Sequence, residues 1–164
     1  MTEIHDDVEQ LDSLLEGIDF CMLTTVDGEG RLHSRPMSTQ KFKTDGTLYF
    51  LTDERSHKVD DIERDPQVLV AYAQPDDQTY LSVHGTARVY RDEALIRELW
   101  SPVYRAWWPN GRHDPDIRVL AVDVDRVDYW TSPGSKLTQL VGFAKAVVGR
   151  GSGEDLGEQG TIHP

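Results

Sequence analysis

Thr52, Ser56 and Lys58 fall close together in LTDERSHK (51–58), where a strand-like run gives way to a helix start. A helix N-terminus presents unpaired N–H groups and the positive end of the helix dipole. Two hydroxyls and an ammonium beside it make an anion site suited to a terminal phosphate. The same residues also suit an ordinary N-cap at Ser56 with a solvated Lys58, and Asp53 and Glu54 oppose an anion unless they point elsewhere. A second candidate is SRPMS (34–38), inside the strand-like HSRPMSTQKF. Arg35 offers a planar fork for bidentate phosphate binding, and equally fits a surface ion pair. Pro36 lacks a backbone N–H, which marks a sheet edge, a bulge or a barrel rim open to a ligand. The segments 31–42 and 47–53 are joined by the turn TDG (44–46) and are expected to lie side by side. One pocket would then collect Arg35, Thr52, Ser56 and Lys58.

The third candidate is aromatic. Trp108-Pro109 with Gly111 predicts a rigid apolar loop, usable as a wall for a planar ring. Trp107, Trp108 and Trp130 are open between packing and ligand contact, whereas Trp100 shares an apolar helix face with Ile96 and reads as core. The six histidines form no HxH or HxxxH pair, and Cys21 is alone, so neither a metal site nor a disulfide is expected. Cys21 lies in the apolar run IDFCMLTTV and reads as a packing residue. VDVDRVD (122–128) reads as a half-exposed strand. It lacks the glycine-containing loop of a calcium site. No GxSxG or GxGxxG occurs.

Strand-like runs rich in Val, Leu, Thr, Tyr and Phe cover 19–26, 31–42, 47–53, 67–74, 79–91 and 117–131, and must position these groups. DGEG (27–30), TDG and QPDDQ (74–78) separate neighbours too tightly for parallel crossovers, so an antiparallel meander or closed barrel is predicted. Apolar residues at spacings of three and four predict a helix over 3–16, with Thr2 as N-cap and Gly17 after its end. Further helices are predicted over 56–64, 92–100 and 136–148. The organisation expected is one domain over 1–149 and a flexible, Gly-rich, polar tail over 150–164.

A net charge of −12 argues against nucleic-acid or membrane-surface partners, since phosphate-rich surfaces repel carboxylates. The N-terminal stretch has neither a basic nor an apolar targeting segment, and no run approaches the roughly 20 apolar residues of a membrane span. A cytoplasmic protein is expected.

Five segments in register, SRPM (34–37), LYFLTDERSHKVDDIERDP (48–66), SVHGTAR (82–88), LWSPVYRAWWPNGRHDP (99–115) and VDYWTSP (127–133), resemble the flavin-binding split barrels of the pyridoxamine 5'-phosphate oxidase superfamily. The general stress protein 26 branch is the nearest likeness. The resemblance implies a mainly β fold, a six-stranded antiparallel split barrel with flanking helices, and a homodimer with flavin mononucleotide (FMN) at its interface. It implies that Arg35, Thr52, Ser56 and Lys58 hold the phosphate, with His57 where the oxidase has a second basic residue. Pro36, Met37, Ser38 and Leu51 would line the isoalloxazine, and Trp130 and Trp108 would close the ring site, from the same or the second subunit. Gln40 and Lys136 are further candidates at the ring edge. The Tyr/Arg/Ser set that binds substrate phosphate in the vitamin-synthesising oxidase has no counterpart here, so that oxidation is not expected. An FMN-dependent oxidoreductase acting on a small molecule leads. The alternatives are a flavin-binding or sensing protein without turnover, and a split barrel using deazaflavin or haem.

Overall fold

The computed structural model describes residues 2–40, 45–132 and 158–164. Along these, helix α1 (Thr2–Leu15) precedes β1 (Phe20–Val26), β2 (Leu32–Ser38) and β3 (Thr47–Asp53). Then come α2 (His57–Arg64), β4 (Gln67–Gln74), β5 (Thr79–Tyr90), α3 (Glu93–Leu99), a 3₁₀ turn (Pro102–Ala106), β6 (Ile117–Thr131) and β7 (Glu158–Ile162). The helices near 3–16, 56–64 and 92–100 form as expected. The helix expected over 136–148, with Lys136, lies outside the described residues.

Every strand pairing is antiparallel, in the order β2-β1-β4-β5-β6-β3, with β7 added to β6. The expected six strands make the path, and the fold is a mainly β split barrel. One expectation fails. β2 and β3 follow one another in sequence but are not ladder neighbours: β2 pairs with β1, β3 pairs with β6, and they end the path at opposite sides. They form the two lips of the split.

The burial of β3 shows how it is held there. Thr47 through Thr52 are all buried, with no alternation, because both faces of the strand are covered. Leu48 and Phe50 join Leu23, Val70, Val83 and Val122 inside the barrel, where α1 contributes Leu11, Leu14 and Leu15. Tyr49 and Leu51 point the other way, into a second cluster with Ile96, Leu99, Tyr104 and Trp108. The outer face of β3 is thereby tied to α3 and the 3₁₀ turn, while one of its edges pairs with β6.

Two glycines are fixed by close approach. At Gly85 the β5–β6 register shifts, and a Cβ there would meet the Asp123 carbonyl oxygen at 2.5 Å and Val122 Cγ1 at 2.6 Å. At Gly160 a Cβ would meet the Tyr129 hydroxyl at 2.5 Å, so the tyrosine can lie over β7 only because this residue has no side chain. Gln10 of α1 donates to that hydroxyl at 3.2 Å. The last residues therefore extend the sheet where the sequence reading assigned no structure: β7 pairs with Val127–Thr131 and buries Ile162.

Candidate functional site

The lips of the split and the start of α2 enclose a cleft of about 380 Å³. Its polar end is built by β3 running directly into α2. Lys58 Nζ donates to Ser56 Oγ at 2.6 Å and to Thr52 Oγ1 at 3.2 Å. Each hydroxyl accepts from the ammonium and keeps its own proton to donate. Ser56 holds the N-cap position with φ −74° and ψ 133°, yet its side chain bonds no amide of the helix. Asp92 at the start of α3 behaves in the ordinary way, accepting the Leu95 amide at 3.0 Å. The contrast sets aside the plain-cap reading of Ser56, because its hydroxyl oxygen takes the Lys58 ammonium and not a backbone amide of the helix.

Arg35 stands behind this end. Its Nη1 donates to Thr25 Oγ1 at 2.7 Å and to the Leu23 carbonyl at 3.4 Å, and Nη2 lies 3.6 Å from Asp61 Oδ2. Thr25 in turn donates to Asp61 at 2.8 Å. Burial lowers the Lys58 pKa below its ordinary value, the charge of Arg35 lowers it further, and Asp53 opposes both. Burial likewise lowers Arg35, against the pull of Asp61. Two partly buried cations that feel one another form a place where an anion lowers the energy of both.

The acidic residues of the segment are engaged. Arg55 holds Asp53 through its backbone amide and guanidinium, and the Trp108 indole Nε1–H donates to Asp53 Oδ2 at 3.3 Å. These donors, Arg55 first, keep the Asp53 carboxyl below the usual range. Glu54 pairs with Arg118 at 2.6 Å.

Asp53 also lines the cleft beside the cations, and the rest of the cleft is mainly apolar. Pro36, Met37 and Ser38 line it from β2 and Leu51 from β3, with Tyr104, Trp107 and Trp108 around the 3₁₀ turn. Tyr104 packs edge-on to Trp100, with centroids 5.9 Å apart, and its hydroxyl meets Ser38 Oγ at 3.3 Å and the Gln40 amide. Gln40 thus reaches the cleft wall through Tyr104.

The structure gathers Pro36, Met37, Ser38, Leu51, Thr52, Ser56, Lys58 and Trp108 on the cleft, with Arg35 one layer behind. The means differs from the side-by-side strands expected, since the groups meet across the split. His57 is exposed and off the cleft. Trp130 lies elsewhere in the same chain, on the outer face of β6 beside Tyr80 and above Pro75 and Gln78. The sequence reading missed Phe20 and Tyr104 as lining residues and Asp61 as the partner of Arg35. Asp61 did carry a signal: it follows Lys58 by one helical turn and precedes the core residue Ile62, so it faces inward while Asp60 does not. Cys21 is buried, its thiol pushed up to about 11 by burial, consistent with packing. Among the described residues no group of three or more His, Cys, Asp and Glu is placed to hold a metal, and no helix is long and apolar enough to cross a membrane.

A family model described as pyridoxamine 5'-phosphate oxidase like matches residues 6–154. The chain belongs to that family. General stress protein 26 of Bacillus subtilis is 31% identical over 103 residues, covering 60% of this chain and 71% of its own length. The crystal structure of general stress protein 26 from Bacillus anthracis superposes with a TM-score of 0.67 at 29% identity, over 74% of this chain and 92% of that one. A general stress FMN/FAD binding protein from Xanthomonas citri gives a TM-score of 0.67 at 26% identity, over 79% and 92%. Its family members thus share the split barrel in which this cleft opens.

Proposed function

We propose that this chain is a cytoplasmic, homodimeric FMN-binding protein that works as a flavin-dependent oxidoreductase on a small molecule. The observation that carries the reading is the Lys58–Ser56–Thr52 cluster at one end of a mainly apolar cleft, with the Asp53 carboxylate beside it held by Arg55 and Trp108, in a family with a relative described as FMN/FAD binding. The residues fit the group. Lys58 and Arg35 supply charge, the hydroxyls of Ser56 and Thr52 supply donors, and the first turn of α2 adds its amides, which together match a phosphate monoester. Pro36, Met37, Ser38 and Leu51 fit a planar ring, with Trp108 as an inner wall and Tyr104 a hydroxyl at the margin. A bound flavin supplies hydride and single-electron chemistry, and the protein positions it and excludes water.

A second copy is supported by the outer surface of the barrel. Phe20, Met22, Tyr80 and Trp130 are all solvent-exposed, and the strand register places them on one side of the sheet, from the cleft rim at Phe20 to the Tyr80–Trp130 pair. Dimerisation over this band brings Trp130 of one subunit toward the cleft of the other.

Purification tests the reading directly. A yellow protein that releases FMN on denaturation, and rebinds it as a dimer by analytical ultracentrifugation, supports it; a colourless protein indifferent to added FMN refutes it. Oxidation of NAD(P)H by the loaded protein with an added acceptor separates an enzyme from a protein that only stores or senses flavin.

A further inference from the structure

The phosphate reading rests on Arg35 and Lys58 acting together, and they come from elements with no ladder between them. Arg35 is opposite Leu23 in the β1–β2 ladder, so its side chain leaves β2 on the inner face, as Met37 does. On an edge strand such a side chain has open routes to solvent, and an arginine loses much rotamer freedom when held. Something must hold it beside Lys58.

Two buried side chains do so. Thr25 is fully buried and accepts from the Arg35 guanidinium while donating its own proton to Asp61. Asp61 is 7% exposed and follows Lys58 by one turn of α2. The helix that carries the ammonium therefore also carries the carboxylate that orients the guanidinium. We propose that Asp61, acting with Thr25, is the positioning residue that holds Arg35 beside Lys58, and thereby sets the preference of the site for a phosphorylated over an unphosphorylated flavin. A carboxylate near an anion site has an opposite role open to it, as a competitor for the cation. The geometry favours positioning: Asp61 takes a short bond from Thr25 and stands 3.6 Å from Arg35, and the carboxylate felt at Lys58 is Asp53.

The experiment titrates flavin-free protein with FMN and, separately, with riboflavin, following the quenching of flavin fluorescence. Wild type, Asp61→Asn, Thr25→Val, the double variant and Lys58→Met are compared. Loss of one charge-assisted contact predicts FMN binding about tenfold weaker in Asp61→Asn and in Thr25→Val, with riboflavin within about twofold. The double variant falls no further than the weaker single, because both act through Arg35. Asp61→Glu, which keeps the charge, recovers part of the loss. Unchanged or tighter FMN binding in Asp61→Asn overturns the proposal, as does an equal loss for both ligands, which is what a merely structural role gives. If Asp61→Asn does not fold, Thr25→Val is judged by the same criteria. A wild type that does not distinguish FMN from riboflavin overturns the phosphate reading and this inference with it. A Lys58→Met variant that loses the distinction while Asp61→Asn and Thr25→Val keep it leaves that reading standing and overturns the inference alone.

Discussion

Replacing Lys58 by Met separates what the residue does for a ligand from what it does for the fold. The ammonium donates to Ser56 and Thr52 and stands close enough to Arg35 for that charge to lower its pKa, in addition to the larger effect of burial. Without an anion, the folded chain therefore holds this charge less readily than the unfolded chain does. The sign follows from linkage. Below the folded pKa both states carry the proton and the folded state bears the penalty. As pH rises from the folded pKa toward the ordinary 10.5, the folded state releases its proton first and gains stability relative to the unfolded state. Lys58→Met removes the penalty while keeping most of the stem volume, so the flavin-free variant should melt no lower than wild type at pH 7 and lose the alkaline gain. For the ligand the balance reverses. A charge-assisted contact to phosphate is worth about 1.5–3 kcal/mol, which predicts FMN binding weaker by roughly 10-fold to 150-fold, with riboflavin nearly unaffected. Differential scanning fluorimetry of the flavin-free proteins between pH 7 and 11, with FMN and riboflavin titrations, checks both halves. A variant that melts well below wild type, or that weakens for both ligands alike, refutes the reasoning.

The other predictions concern the frame. Gly85→Ala forces a methyl onto the Asp123 carbonyl and Val122, and should destabilise the protein by about 2–4 kcal/mol in urea unfolding. Ile162→Ala empties a buried position on β7 and should cost about 2–4 kcal/mol, which chemical denaturation would show to be absent if β7 does not dock. Asp27 accepts the Arg31 and Glu29 amides, the Arg31 guanidinium and a His33 nitrogen, and its carboxyl is held well below its ordinary 3.8. Its contribution is present above 3.8 and lost as pH falls through the depressed value, so Asp27→Asn should flatten stability against pH in the acid limb and leave the slope near neutrality unchanged, as read from melting curves.

The parts of this molecule that were legible beforehand are local. Period changes marked α1 and the six barrel strands, and the α2 start at Ser56 was readable because a hydroxyl, a break in period and Pro66 bracket a short helix. Pairing was not legible in the same way. The turn between β2 and β3 resembles a hairpin, and the continuous apolar run of LYFLT tells that both faces of β3 are covered but not which strand lies at its edge, which is β6. Trp130 and Trp108 look alike as residues of aromatic loops or strand ends; the sheet register puts Trp130 on the outer face, and the packing of the 3₁₀ turn against β3 puts Trp108 in the cleft. The tail reads as polar because the feature that docks it is an absence: Gly160 supplies no side chain and leaves room for Tyr129, which composition cannot express.

The open split has a thermodynamic consequence of its own. β2 and β3 sit at opposite ends of the strand order, so no backbone ladder joins their edges, and side-chain contacts such as Ser38–Tyr104 and Arg35–Asp61 bridge them instead. A molecule seated between them acts as a suture, and its binding energy is added to the cohesion of the barrel in proportion to the logarithm of its free concentration. Amide hydrogen exchange along these two edges should slow together on saturation, while the β4–β5 hairpin keeps its rate. The supply of that molecule would then govern how long each chain survives proteolysis as well as whether it can react.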